Sequence, residues 1–121
     1  AVPRFASLEG EARLAATQAL AGSVRSGASL AHALWLAEGN PGSTAVTMEG
    51  QAITLAFGYP NAATIDDTLV EYAGFALTTG ATAVFNKTSA SGTAIANCFV
   101  TYTPATTTDD APEVVATTTG C

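Results

Sequence analysis

Apolar and small residues recur at intervals of three and four through the first third of the chain. Phe5, Leu8, Ala12, Ala16, Ala19, Ser23, Gly27, Leu30 and Leu34 share one stripe when successive residues are turned by about 100°. This spacing predicts one long helix over residues 3–38, opened by Pro3 in its first turn and stopped by Gly39-Asn40-Pro41-Gly42. Alanine, serine and glycine line the middle of the stripe, which lets another backbone approach closely, although each interior glycine costs about 1 kcal/mol. The second half of the helix is expected to pack on the chain's own sheet. The first half, through Gly22, carries Arg4, Glu9, Glu11 and Arg13 around a thin apolar face and is expected to project.

Beyond residue 42 the pattern predicts a connecting region with one short strand, 52–57, ending in the turn Gly58-Tyr59-Pro60-Asn61. Thr64 with Asp67 three residues on reads as a capping box for a second helix through Ile65, Leu69, Tyr72, Ala73 and Ala76. Asp66 and Asp67 then sit in its first turn, where the helix dipole favours negative charge. After Gly80 the period becomes two, and 81–87, 93–102 and 112–118 read as three strands of an antiparallel meander. The order is helix first and sheet second, hence α+β and not alternating α/β. Residues 1–121 form one domain: the helix, a connecting region over 39–80 with a short helix, and a sheet region over 81–121.

Composition narrows the function classes. Of 121 residues, 48% are hydrophobic and 12% charged, which excludes a disordered, charge-solvated chain. The net charge is −6, and the four cations Arg4, Arg13, Arg25 and Lys87 are scattered, so no basic stripe is available to replace phosphate counterions and no nucleic-acid partner is expected. Cys98 and Cys121 are the only cysteines. A disulfide between them is the favoured reading over two buried free thiols, and it implies an oxidising compartment. His32, the sole histidine, leaves neither a zinc ligand set nor the base that a serine or cysteine hydrolase needs. Asp109, Asp110 and Glu113 read as a solvated turn beside Pro112, with calcium ligation the alternative. Asn86-Lys87-Thr88 fits the N-glycosylation pattern, which has meaning only in a eukaryotic secretory setting. No enzymatic activity, cofactor or metal is expected.

Ala1-Val2-Pro3-Arg4-Phe5, Leu20-Ala21-Gly22-Ser23, Phe57-Gly58-Tyr59-Pro60 and Cys98-Phe99-Val100-Thr101-Tyr102, taken in that order, resemble segments of type IV pilins, specifically the mannose-sensitive haemagglutinin type. Ala1-Val2-Pro3-Arg4-Phe5, Leu8, Glu11-Ala12-Arg13 and Leu20-Ala21-Gly22-Ser23 look like the segment that follows the membrane-spanning half-helix. Phe57-Gly58-Tyr59-Pro60 is similar to the family's connecting region, and Cys98-Phe99-Val100-Thr101-Tyr102 with Gly120-Cys121 to its disulfide loop. The resemblance implies a pilin fold, with a long N-terminal helix on an antiparallel sheet of about four strands and a C-terminal disulfide loop bounded by Cys98 and Cys121. It implies a major pilin that polymerises into an extracellular filament for attachment or motility. Its partners would be copies of itself, the inner-membrane assembly machinery and surface or host receptors. The family's leader, its methylated terminal phenylalanine and its membrane-anchoring apolar helix fall outside this chain. On this reading Phe5, Leu8 and Ala12 face inward in the filament, while Tyr59, Pro60, Asp109 and Asp110 make lateral subunit contacts. The alternatives are a type II secretion pseudopilin, a minor or DNA-uptake pilin and, from another class, a secreted disulfide-closed binding module with its ligand in the threonine-rich C-terminal region.

Overall fold

The computed structural model describes residues 2–38, 44–107 and 110–121, the side chains of 2–7 excepted. One helix, α1 (Val2–Ala37), precedes seven strands: β1 (Ala45–Met48), β2 (Gln51–Ala56), β3 (Tyr59–Pro60), β4 (Phe75–Thr79), β5 (Ala83–Thr88), β6 (Ala94–Thr103) and β7 (Glu113–Thr117). They form two antiparallel sheets, β1-β2-β3 and β4-β5-β6-β7, in sequence order. The α+β class agrees with the sequence pattern, which predicts β5, β6 and β7; β4 falls where the pattern predicts a second helix, and the connecting region forms three short strands, β1, β2 and β3, where it predicts one.

α1 is about 54 Å long at 1.5 Å per residue. It buries Thr17, Leu20, Ala21, Val24, Gly27, Ala28 and Ala31, which also recur at spacings of three and four. The stripe expected to pack lies to one side of this face. Leu8 and Leu30 are more than half exposed, Ala12, Ala19 and Ser23 are exposed as well, and only Gly27 belongs to both stripes. Close approach explains the difference, because small residues let α1 settle against the structure beneath it, where a leucine would hold it off. A Cβ on Gly27 would overlap the Thr68 side chain. The expectation that everything through Gly22 projects is corrected too, since Gly10 already lies against the Cys121 carbonyl and packing continues through Arg13 and Thr17.

Two cores result. The larger joins Leu20, Val24 and Ala28 of α1 to Ile65, Phe85, Val100 and Tyr102, with Tyr72 set edge-on to Phe85 at 5.3 Å between ring centroids. The smaller joins Ala31 to Val46, Met48, Ile53 and Leu55, with Leu34 and Trp35 packed on it. β1, β2 and β3 are linked by two-residue turns at Glu49-Gly50 and Phe57-Gly58, all four residues having positive φ, as tight hairpins of matching twist require.

The second predicted helix is absent. A single 3₁₀ turn, Ile65–Thr68, stands in its place, and the chain then runs into β4. Thr64 makes no capping bond. Asn61 does so instead, its Oδ1 accepting the Thr64 N–H at 3.0 Å while its carbonyl accepts the Ile65 N–H at 3.1 Å. Asp66 accepts the Tyr72 hydroxyl at 3.1 Å and faces no helix dipole.

Candidate assembly surface

α1 is joined to the sheet through the disulfide. Cys98 and Cys121 are bonded, with their Cα atoms 4.9 Å apart, and no described cysteine is free. Cys98 lies in β6 beside an irregularity: Asn86 pairs with Phe99 but Thr88 with Ala94, so extra residues are accommodated, and Asn97 takes a left-handed φ of 57°. Thr17 of α1 is fully buried against the bridge, its Oγ1 3.4 Å from the Cys98 sulfur and 3.7 Å from that of Cys121, while the hydroxyl donates to the Arg13 carbonyl at 2.8 Å. Arg13 Nε donates to the Cys121 carbonyl at 2.7 Å, and Glu9 lies 3.8 Å from the same guanidinium. Farther along, Arg25 donates to the Val114 carbonyl of β7 at 3.0 Å.

The rest of α1 offers surface. Leu8 is 54% exposed, and Glu9, Glu11 and Ala12 are exposed beside it. The outer stripe continues through Ala19 and Ser23 to Leu30, where an open groove separates it from Leu69 and the fully exposed Val70. Of the residues assigned to assembly, Leu8 and Ala12 therefore lie on an accessible helix face, whereas the Phe5 side chain is outside the described residues. Tyr59 is half-buried and Pro60 buried, so Pro60 offers a neighbour no surface, which corrects its assignment to lateral contact. Asp110 is exposed but engaged locally, accepting from the Ala111 N–H at 3.1 Å and the Thr106 hydroxyl at 3.3 Å; Asp109 lies outside the described residues.

Pro60 and its neighbours are structural. Tyr102, fully buried, donates its hydroxyl to the Pro60 carbonyl at 2.6 Å, and burial, with the Tyr59 phenol nearby, pushes its pKa well above the ordinary tyrosine value. Tyr72 moves the same way, through burial first and then through its bond to Asp66. His32 stacks on Tyr59 at 4.0 Å and on Trp35 at 5.4 Å, and its Nδ1 donates to the Gly58 carbonyl at 2.8 Å. A carbonyl can only accept, so Nδ1 carries a hydrogen. A Cβ on Gly58 would meet the Trp35 ring at 2.8 Å, so only glycine lets the turn approach the helix this closely. Sequence reasoning missed this cluster; a Glu-Gly and a Phe-Gly pair between alternating segments were its signals.

Among the described residues no three histidine, cysteine or acidic side chains come together as a metal site, and no described helix is long and apolar enough to cross a membrane. The molecule is an α+β domain in which a long helix lies on two antiparallel sheets and a disulfide ties the C-terminal residue to β6. Compared with models of known protein families, with curated proteins and with solved structures, the chain matches none.

Proposed function

We propose that the chain is the headpiece of a type IV pilin of the mannose-sensitive haemagglutinin type, a structural subunit that polymerises into an extracellular filament for attachment or motility. The ordered sequence resemblance supports this reading, and one observation carries it. α1 is continuous from Val2 to Ala37, and Leu8 and Ala12 stay exposed on it while Gly10, Arg13 and Thr17 of the same turns meet the disulfide end of the chain. An arm of this kind can enter a helical bundle while the disulfide-closed head faces outward. Head-to-tail contacts that do not close on themselves then generate an open filament. The subunit's partners are further copies of itself and the inner-membrane machinery that anchors and assembles it, and its role is mechanical rather than catalytic.

Leu8→Asp in the full-length subunit tests this directly. The carboxylate is expected to abolish filaments seen by electron microscopy while the head keeps its circular dichroism and its disulfide. Normal filaments from this variant would overturn the assignment.

A further inference from the structure

The four-stranded sheet has two edges, and they are treated differently. β7 carries Glu113, follows Pro112, and has its Val114 carbonyl covered by Arg25. Charge, proline and a covering side chain are devices that keep an edge from pairing. β4, Phe-Ala-Leu-Thr-Thr, has no charge, no proline and no irregularity in its pairing with β5.

The hydrogen-bond register identifies the groups that this edge presents. Gly74 accepts from the Thr88 N–H at 2.9 Å, and the Gly80 N–H donates to Thr82 at 2.9 Å. Ala76 and Thr78 stand opposite Asn86 and Val84 in the same register. Alternation along an antiparallel ladder therefore turns the backbone groups of Phe75, Leu77 and Thr79 away from β5. The Phe75 N–H is used locally, by the Tyr72 carbonyl at 3.1 Å. Among the described residues nothing bonds the Phe75 carbonyl, or the N–H and C=O of Leu77 and Thr79.

We propose that this edge pairs with the β4 edge of a second copy of the chain, antiparallel and centred on Leu77, so that two four-stranded sheets become one of eight strands. The set is self-complementary. The two Leu77 residues exchange two bonds, and each Thr79 N–H reaches the opposite Phe75 carbonyl, four bonds in all. The donor that this arrangement leaves unused, Phe75 N–H, is the one already engaged within the chain. On the outer face the exposed Ala76 and Thr78 of one copy meet Thr78 and Ala76 of the other, and no charge is trapped between them. Two copies of net charge −6 repel one another at long range, so pairing strengthens as salt screens that repulsion. The pairing uses β4 alone and stands independently of any contact made by α1.

Sedimentation velocity from micromolar to millimolar protein, at low and high salt, tests it, together with hydrogen exchange at the Leu77 amide. The parent is expected to dimerise, more tightly at high salt, and to protect Leu77 N–H as dimer forms. Thr79→Pro removes an outward donor without touching a bond to β5, and the double variant Ala76→Lys/Thr78→Lys sets like charges opposite one another. Each is expected to weaken the dimer by at least about tenfold, with circular dichroism and the disulfide unchanged. A parent that stays monomeric at high salt, or a dimer equally strong in both variants, overturns the proposal.

Discussion

The larger core, under β4–β7, is fastened by contacts between residues far apart in the chain, whereas the smaller, under β1–β3, is fastened through two tight turns. Thr17 reaches Cys98 across 81 positions and Arg13 reaches Cys121 across 108, while Tyr102 reaches across 42 to Pro60 of β3 and is a tie between the two sheets. In the smaller core the hydrogen bond from His32 to Gly58 spans 26. Loops this different in length have different closure entropies, and a unit held by short loops can open without dismantling the one held by long loops. The smaller core is thus expected to be a separate, weaker unit of unfolding, and three measurements can break or sharpen that contrast.

Removing the disulfide should have the largest effect. Cys98→Ser/Cys121→Ser releases a loop with a separation of 23 residues and should lower the stability measured by urea unfolding by about 3 kcal/mol. Native-state hydrogen exchange should show β6 losing protection while β1 and β2 keep theirs. Equal loss in both sheets would mean that the two cores unfold as one.

Tyr102→Phe should come next. It leaves the Pro60 carbonyl buried without a donor, at a cost of about 1–3 kcal/mol. The same residue governs alkaline behaviour. Its raised pKa means that the fold keeps the neutral phenol, while an unfolded tyrosine loses its proton near the ordinary value of 10.0. Below that pH both states hold the proton and stability is whole. Above it the unfolded state binds fewer protons, so stability falls as pH rises toward the folded-state value. Tyr72, raised mainly by burial, adds to the same slope. A plot of urea midpoint against pH should therefore decline beyond pH 10.0 in the parent and flatten in Tyr102→Phe. An equally steep decline in the variant would place the titrating group elsewhere.

The smallest effect is expected at Phe57, whose φ of 56° is a left-handed conformation that a bulky residue adopts at a cost. Phe57 is 46% exposed and is part of neither core, so the area that it buries lies outside both. Phe57→Gly should relieve the backbone and stabilise the smaller core by up to about 1 kcal/mol, read as slower exchange at the Ala56 and Tyr59 amides. A destabilised hairpin would show that the ring's packing outweighs the backbone strain.

Much of the architecture was legible in the sequence because local pattern and final structure agree there. β5, β6 and β7 alternate with period two between turn residues, α1 has clear start and stop signals, and both cysteines fall where strands bring them together. Tertiary structure overrode the pattern elsewhere. Ile65, Leu69 and Tyr72 fit a helical spacing, but Phe75 and Leu77 also alternate with Ala76 and Thr78, and pairing with β5 selected the strand. The phase of α1 was hidden for a related reason. Its packed face is chosen by how near the backbone can come, and Thr17, Ala21, Ala28 and Ala31 score weakly on hydrophobicity beside Leu8 and Leu30. At the candidate surface, the exposure of Leu8 and Ala12 was foreseeable from the thin apolar face of the first turns. The burial of Pro60 depends on Tyr102, a partner that lies far along the chain.

The junction of Arg13 with Cys121 also determines how the molecule bears load. Tension applied along the N-terminal arm arrives first at the turn of α1 that holds both Arg13 and Thr17, against the disulfide. From there a covalent path leads to Cys98 in β6, an interior strand bonded to β5 on one side and β7 on the other. The pull is thus delivered to the middle of the sheet, where two ladders of hydrogen bonds must yield together, instead of to an edge that could be peeled away one bond at a time.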